Sequence, residues 1–298
     1  MYGVLLMAYG TPQGLNGISD YYTNIMKGKS PTKEQLKRLT DRYKAIGGKS
    51  PLLEVTRSQA EKLQKKIARS DSETKVFYGM KYSKPYVYDA LLEAKSFDVD
   101  KLICIPIAPF YSAIGTGSYY EHVDNALAAL SYKPALIKVA SWNLQTGLIK
   151  AWTDCVSALK LGKSDVMVFT AHSMPATKRD DLSVYRKQIL QTCNAVQSSF
   201  GNRWALSFQS AADMPGNWIG PDAGTQISGL ARNGVKSIAI IPIGFVADNL
   251  ETMYDVGIAY KALAEGLGMK CKISGMPNDS EGIIDALYGV YADAIRRF

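Results

Sequence analysis

The sequence predicts an α/β fold built from two similar, doubly wound lobes. Short apolar runs, several of them rich in Val and Ile, alternate with longer amphipathic stretches along the 298 residues. Such runs are typical of strands buried on both faces of a parallel sheet. The predicted strands cover residues 4–8, 76–80, 101–107, 135–140, 165–170, 204–208, 237–243 and 270–273. Strands that alternate with helices favour parallel pairing through right-handed crossovers.

Between these runs the sequence has helical periodicity with recognisable start and stop signals. Apolar residues recur at three- and four-residue spacing over residues 32–45, and again over residues 51–68. Thr32 and Gln35 have the spacing of a capping box at the start of the first helix. Gly47 and Gly48 follow its last turn, where glycine commonly ends a helix.

The two halves of the chain resemble each other, which is the second observation behind the fold prediction. Ala8-Tyr9-Gly10-Thr11-Pro12 corresponds to Ala171-His172-Ser173-Met174-Pro175, and Ile105-Pro106-Ile107-Ala108 corresponds to Ile241-Pro242-Ile243-Gly244. Chance similarity between short strand sequences is the alternative, but the landmarks occur in the same order. We therefore expect an N-terminal lobe over residues 1–145, with a lip that contacts the ligand, and a C-terminal lobe over residues 146–298.

The composition excludes several classes of protein. The formal net charge is +8, yet there is no zinc finger, RNP-type aromatic stretch or basic region with heptads, so no nucleic-acid partner is expected. The excess of basic residues is compatible with solvated helix faces, with a carboxylate-bearing substrate or with an anionic membrane surface. No run of 18 apolar residues is present, so no transmembrane helix is expected.

The cysteines and the first residues bear on the cellular compartment. Cys104, Cys155, Cys193 and Cys271 form no C-x-x-C pair, so neither a zinc site nor an iron–sulfur cluster is expected. No Lys or Arg precedes the first apolar run, which we interpret as a strand rather than a signal peptide. These features predict free thiols in a reducing cytoplasm.

Several residues that could contact a ligand come directly after predicted strands. They are Tyr9, Lys81, Pro109, His172, Gln209 and the segment around Glu251. In open α/β sheets, ligands bind beyond the carboxyl ends of the strands. Two facing lobes would bring these residues to one cleft.

His172 and Glu251 are the candidates for metal and proton chemistry. The chain has only two histidines, and His122 lies in a helical pattern that suits an ordinary packed or surface residue. His172 at a strand end could bind a divalent metal or accept a proton, although a merely hydrogen-bonded histidine is the alternative. Asp248 or Asn249 could cap a helix with Glu251 in its first turn, where an acid can simply favour the helix dipole. An imidazole with a carboxylate could nevertheless hold Fe²⁺ loosely.

The turn at residues 112–120 is rich in glycine and hydroxyl groups. It contains Ser118 and Tyr119 and could present N–H groups and hydroxyls to the carboxylates of a ligand. It lacks the lysine and the spacing of a P-loop, so nucleotide binding is not expected.

Two further segments could line a flat ligand. Trp218 lies between Pro215-Gly216 and Gly220-Pro221, where it could stack on a ligand or simply anchor a loop. Residues 21–26 place aromatic and apolar groups ahead of Lys27 and Lys29. They could form an apolar lip with basic groups for carboxylates, or an ordinary amphipathic helix.

Six segments, in the same order, resemble the ferrochelatases over nearly the whole chain. They are Met7-Ala8-Tyr9-Gly10-Thr11-Pro12, Ile46-Gly47-Gly48-Lys49-Ser50-Pro51, residues 108–118, Ala171-His172-Ser173-Met174-Pro175, Trp218-Ile219-Gly220-Pro221 and residues 244–255. Each segment alone is a weak signal, but the shared order is a strong one. The resemblance implies two flavodoxin-like lobes around a porphyrin cleft, and a lyase that inserts Fe²⁺ into a porphyrin in haem biosynthesis.

The resemblance also implies roles for individual residues. The invariant histidine and glutamate of the family fall at His172 and Glu251, which would handle Fe²⁺ and take up the pyrrole protons. The match is nearest to the coproporphyrin III branch, in which a tyrosine at the Tyr9 position faces the metal from the other side of the macrocycle. Porphyrin-contacting residues of that branch fall at Arg42 and Ser50. Coproporphyrin III is the expected substrate, with protoporphyrin IX as the alternative.

Three departures from the family pattern keep two other functions open. Asn249 stands where the family often has histidine, Ala259 where some relatives have an acid, and Tyr82 where a histidine is common. The alternatives are a chelatase of the sirohydrochlorin type, which usually has more histidines at the metal, and a non-catalytic tetrapyrrole or haem carrier. The expected partners are a porphyrin and ferrous iron, with weak peripheral membrane contact, and the chain is expected to be a monomer.

Overall fold

The computed structural model describes residues 1–177, 182–211 and 217–298. Strands β1 to β4 are Tyr2–Ala8, Lys75–Met80, Lys101–Pro106 and Ala135–Lys138, and strands β5 to β8 are Val166–His172, Trp204–Gln209, Ser237–Ile241 and Lys270–Ile273. Within the described residues these strands form two parallel four-stranded sheets, with the orders β2-β1-β3-β4 and β6-β5-β7-β8. Because the two orders are equivalent, the predicted α/β fold with two similar lobes is confirmed.

The predicted strands are all present, and their ends differ from the prediction for physical reasons. The runs that contain Pro106 and Pro242 end at Pro106 and Ile241, and the missing N–H group of Pro242 fits the end of β7 at Ile241. Strand β5 is longer than predicted, because His172 pairs with Gln209 of β6. His172 is therefore the last residue of a strand rather than the first residue of a loop.

Helices connect the strands on both faces of the sheets. They are α1 (Ile18–Ile25), α2 (Lys33–Ala45), α3 (Leu52–Ile67), α4 (Val87–Ser96), α5 (Thr116–Ala129), α6 (Thr146–Ser157), α7 (Leu182–Gln197), α8 (Ala223–Arg232), α9 (Lys261–Gly266) and α10 (Glu281–Ile295), with a 3₁₀ turn at Leu15–Gly17 and a π-helix at Glu251–Tyr260. In the described part of the chain, no helix is long and apolar enough to cross a membrane.

The capping signals predicted for α2 are confirmed. The Gln35 N–H donates to Thr32 Oγ1 over 3.2 Å, and the Thr32 N–H donates to Gln35 Oε1 over 2.9 Å. At the other end, Gly48 has a φ of +94° and its N–H donates to the Tyr43 carbonyl over 2.8 Å. Glycine adopts a positive φ at little energetic cost, whereas other residues are strained there. Gly48 therefore allows the chain to turn at the end of α2.

The hydrophobic core extends across both sheets. The largest buried cluster includes Leu6 of β1, Phe169 of β5, Trp152 of α6 and Leu287 of α10. The last helix, α10, packs against α6 and against α3 of the first half, so it crosses back over the N-terminal sheet. The division into lobes at residues 145 and 146 stays a prediction.

The crossing of α6 and α10 depends on glycine at the contact. A Cβ atom on Gly147 would lie 2.4 Å from the Gly282 oxygen and 2.5 Å from the Ala286 nitrogen, which are backbone atoms that cannot move aside alone. We expect Gly147→Ala to lower the free energy of unfolding by about 1–3 kcal/mol through overpacking.

Gly229→Ala in α8 is the matched control, because no atom lies within 4 Å of its built Cβ. It should leave stability unchanged or raise it, since alanine favours a helix. Denaturant unfolding of both variants checks the prediction, and equal stabilities would contradict it.

Candidate active site

Tyr9 and His172 occupy equivalent positions in the two halves. Strand β1 pairs with β2 and β3, and β5 pairs with β6 and β7, so each is a central strand of its sheet. Tyr9 follows β1 and is 43% exposed, so its ring is open to a ligand. Partial removal from water raises the pKa of the Tyr9 hydroxyl above its usual value, and electrostatic repulsion from Tyr82 and Glu251 adds to the effect. Glu251 of the second half is thus within electrostatic reach of Tyr9 in the first.

His172 and Glu251 form a hydrogen-bonded pair. The Nε2 atom of His172 lies 3.2 Å from Glu251 Oε1, and about a third of each side chain is exposed (35% and 29%). The other ring nitrogen, Nδ1, is hydrogen-bonded to the Ser173 carbonyl. A carbonyl and a carboxylate can only accept, so both ring nitrogens donate and the imidazole is in its protonated form.

The charges of this pair stabilise each other. Removal from water alone would lower the pKa of His172, but the charge and hydrogen bond of Glu251 outweigh this effect and raise the pKa to about 9. Desolvation would likewise raise the pKa of Glu251, but His172 and then Arg42 hold it below its usual value. Without a metal, the site therefore holds an imidazolium and a carboxylate at neutral pH.

Asn249 fixes the start of the π-helix and thereby the position of Glu251. Its Oδ1 accepts from the N–H groups of Glu251 and Thr252 over 2.8 and 3.1 Å, and its own N–H donates to Thr252 Oγ1 over 3.0 Å. The structure thus selects Asn249, rather than Asp248, as the cap. Asp248 is hydrogen-bonded to Asn278 instead. A π-helix of ten residues is unusual, and π-turns are frequent at functional sites.

A close backbone approach brings the loop after β7 against the end of β5. The Gly244 N–H donates to the Thr170 carbonyl over 3.0 Å. A Cβ atom on Gly244 would lie 2.5 Å from the Ala171 Cα, so no larger residue fits without movement. Ala171 directly precedes His172, and the loop that contains Gly244 continues to the π-helix that carries Glu251.

Arg42 and Asp255 form an ion pair between the two halves. Arg42 Nη2 lies 2.5 Å from Asp255 Oδ1, and Ser210 Oγ donates to Asp255 Oδ2 over 2.5 Å. Arg42 also stacks on Tyr254, with its Cζ 5.1 Å from the ring centroid. Burial raises the pKa of Asp255, although Arg42 and Ser210 oppose the effect.

Lys81 sits among three tyrosine rings at the end of β2. Its Nζ lies 4.7, 5.3 and 5.6 Å from the ring centroids of Tyr82, Tyr119 and Tyr9, and donates to Ser118 Oγ over 2.6 Å. Burial lowers the pKa of Lys81 to about 8. The sequence analysis placed Lys81 after a strand but assigned it no role, because nothing in the pattern showed that the rings would surround it.

Comparisons with known proteins identify the family. A sequence model described as Ferrochelatase matches residues 1–295. Coproporphyrin III ferrochelatase 1 of Bacillus cereus is 33% identical over 97% of this chain and 96% of its own, and coproporphyrin III ferrochelatase of Anoxybacillus flavithermus is 32% identical over 99% and 96%. The chain belongs to the ferrochelatase family.

A solved structure supports the fold independently of sequence. The cobalt complex of the sirohydrochlorin chelatase SirB from Bacillus subtilis subspecies spizizenii matches with a TM-score of 0.59 over 97% of this chain and 92% of its own, at 8% identity. At that identity the likeness shows a shared two-sheet architecture alone. The sequence relatives therefore decide between the ferrochelatase and the sirohydrochlorin-type chelatase, in favour of the former.

The departures from the ferrochelatase pattern now have structural descriptions. Asn249 caps the π-helix through its side chain, as described above. Tyr82 packs edge-on against Tyr9, with ring centroids 4.8 Å apart, and against His122, with centroids 5.7 Å apart. Ala259 is exposed on the π-helix beyond Asp255. His122 thus belongs to a packed aromatic cluster.

The remaining predicted binding residues differ in their surroundings. Lys27 and Lys29 are exposed after α1, as a lip requires. Ser50 is buried, and its hydroxyl accepts from the Leu52 N–H over 3.2 Å, so the structure shows it at the start of α3. Trp218 pairs with Pro175 in a short antiparallel bridge, which places it beside the loop that follows His172. Pro215 and Gly216 lie outside the described residues. The ligand contacts of all these residues stay predictions.

Few side chains beside His172 could act as ligands to a metal ion. Among the described residues, no group of three or more His, Cys, Asp or Glu side chains could hold a metal ion. The thiols of Cys104, Cys155, Cys193 and Cys271 are free. A metal bound at His172 and Glu251 would have one imidazole and one carboxylate as protein ligands, a set that suits passing a metal on better than retaining it.

The two histidines allow a direct test of the charged pair. We expect NMR titration to show one histidine with a pKa of about 9, which is His172, and one below its usual value, because burial lowers the pKa of His122. Glu251→Gln should lower the pKa of His172, since the charge of Glu251, the largest effect that opposes desolvation, would be lost.

His122→Gln, which removes the other signal, assigns the two resonances and serves as the control. A His172 that titrates at or below its usual value in the unmodified chain would contradict the charged pair.

Proposed function

We propose that this chain inserts Fe²⁺ into coproporphyrin III as a lyase of haem biosynthesis, with protoporphyrin IX as a poorer substrate. The observation that carries the proposal is the imidazole–carboxylate pair of His172 and Glu251, 3.2 Å apart at the end of a central strand. Two relatives at 32% and 33% identity bear the name coproporphyrin III ferrochelatase, which supports the choice of porphyrin.

The protonation state of the pair suits the reaction. Insertion forms bonds from Fe²⁺ to the four porphyrin nitrogens and releases two N–H protons, so the site has to accept protons while it delivers a cation. Fe²⁺ at His172 Nε2 would displace the proton held there, which leaves to solvent. Once the ion passes to the porphyrin nitrogens, Glu251 has neither an imidazolium nor a metal ion beside it, and burial raises its proton affinity. The neutral imidazole of His172 and the carboxylate of Glu251 can then take up the two N–H protons.

The weak ligation of the pair has a kinetic purpose. A closed site with four protein ligands would hold the metal permanently. A pair with one nitrogen and one oxygen ligand binds Fe²⁺ loosely enough for the porphyrin nitrogens to replace it. We assign Tyr9, which is exposed at the equivalent strand end of the first half, to the opposite face of the macrocycle.

The porphyrin itself is held by residues of both halves. We assign its carboxylates to Lys27, Lys29 and Arg42, and to Ser118, which lies in the first turn of α5 rather than in the predicted turn at residues 112–120. Tyr119 and Trp218 would line the flat faces of the ring. The ammonium of Lys81 donates to Ser118 Oγ and holds that hydroxyl in place.

Anaerobic Fe²⁺ insertion, followed by porphyrin absorbance, tests the function. We expect faster turnover with coproporphyrin III than with protoporphyrin IX. His172→Ala should reduce turnover at least about 100-fold, as expected for loss of a group that handles protons in the reaction. His122→Gln is the matched control and should retain turnover.

The haem-carrier alternative predicts a different result from the same samples. Tight retention of haem or porphyrin without any insertion would support a carrier and would overturn the proposal. Normal turnover by His172→Ala would overturn the role of the pair.

A further inference from the structure

The Arg42–Asp255 ion pair couples α2 to the π-helix beside the candidate metal site. The two residues are 213 positions apart in sequence and come from opposite halves of the chain. Asp255 acts electrostatically on His172, and Arg42 acts on Glu251. The ion pair and the His172–Glu251 pair therefore lie in one electrostatic field.

The guanidinium of Arg42 is only partly used by this ion pair. It has five N–H donors, and a carboxylate binds best to two of them at once. Its Nε is buried and has no hydrogen-bond partner among the residues that the structure describes. The Arg42 side chain is nevertheless 31% exposed, so a ligand carboxylate can reach it. A carboxylate that drew the side chain away from Asp255 would also free Nε from this buried position and give it a partner.

The ion pair also determines how the site attracts a cation. While Arg42 holds Asp255, the guanidinium neutralises that carboxylate and repels a divalent ion near Glu251. If Arg42 bound another carboxylate instead, Asp255 would no longer be neutralised, and the repulsion of a divalent ion near Glu251 would decrease. Asp255, which lies one turn beyond Glu251 on the π-helix, would then present an unpaired negative charge.

We propose that Arg42 passes from Asp255 to a carboxylate of the bound porphyrin, and that the freed Asp255 then draws Fe²⁺ to the His172–Glu251 pair. The inference rests on the proposed function, because it takes a carboxylate-bearing porphyrin as the ligand. Porphyrin binding thereby raises the affinity for the metal, and the reverse holds by thermodynamic linkage. Iron is attracted to the cleft mainly when a porphyrin is present to receive it.

Metal affinity in the presence and absence of a porphyrin tests this coupling. The probe is Mn²⁺, titrated by calorimetry into the whole chain with or without palladium(II) coproporphyrin III, whose nitrogens are already filled and cannot take up the ion. We expect the filled porphyrin to raise Mn²⁺ affinity about five- to tenfold, the low end of typical coupling between sites. His172→Ala should abolish this binding and so locate it at the pair.

Variants separate the exchange of Arg42 from a general change in charge. Arg42→Gln should raise Mn²⁺ affinity about five- to tenfold without porphyrin and remove the further gain on porphyrin binding. Lys44→Gln, which removes a positive charge from the same helix, should behave like the unmodified chain. Asp255→Asn should lack the coupling, and the gain from Arg42→Gln should disappear in the Asp255→Asn background.

Two results would overturn the coupling. One is unchanged Mn²⁺ affinity of the unmodified chain on porphyrin binding. The other is a gain from Arg42→Gln that is fully retained beside Asp255→Asn, or equalled by Lys44→Gln. If circular dichroism shows that Asp255→Asn does not fold, the comparison of Arg42→Gln with Lys44→Gln decides. Iron insertion by the unmodified chain is measured separately, so loss of coupling with intact turnover overturns this inference and leaves the proposed function standing.

Discussion

The hydrogen bond between His172 and Glu251 is the interaction on which the rest of the site depends. It joins the last residue of β5 to the first residue of the π-helix, so β5 must end and the π-helix must begin at fixed positions. Asn249 fixes the start of the π-helix, and the close contact of Gly244 with Ala171 fixes the loop that leads to it. These local restraints hold an imidazolium and a carboxylate together at a place open to a ligand. Burying two such charges is tolerable only because each is the partner of the other.

The internal repeat explains why the cleft has one chemically distinct side chain on each side. Equivalent strand ends carry Tyr9 in the first half and His172 in the second, and the two sheets have the same strand order. The same strand arrangement therefore occurs twice, and it places a phenol (Tyr9) in one half and an imidazole (His172) in the other at equivalent positions. The exposed lysines of the lip suit a ligand with peripheral carboxylates, while Glu251 and Asp255 beside His172 are each paired with a cationic side chain.

Much of the fold was predictable from local sequence, because its signals are local. Apolar runs located all the strands, and the capping box at Thr32 and Gln35 located the start of α2. The repeated segments around Tyr9 and His172 predicted equivalent sheets. The position of Glu251 in a first helical turn, capped by a neighbouring residue, was also predictable, although the choice of Asn249 over Asp248 required the structure.

Features that depend on distant contacts were not predictable. The residues of the π-helix have a periodicity that also suits an α-helix, so its wider turns were not foreseen. The Arg42–Asp255 ion pair joins residues on different lobes, and α10 returns to the first half, where it packs against α3. The hydrogen bond from the Leu52 N–H to the Ser50 hydroxyl at the start of α3 was likewise not predicted, and the porphyrin contact of Ser50 stays a prediction. A sequence pattern predicts which residues share one face of a helix or strand, or one turn. It does not predict which helices and strands pack against each other.

The most direct test of the central claim is to locate the metal. Crystals soaked with Fe²⁺ without oxygen would be measured on both sides of the iron absorption edge, and an anomalous difference map would show the ion. The account predicts a peak between His172 Nε2 and the Glu251 carboxylate, and no such peak in crystals of His172→Ala. A peak bound elsewhere, with the His172–Glu251 hydrogen bond intact in a chain that inserts iron, would contradict it.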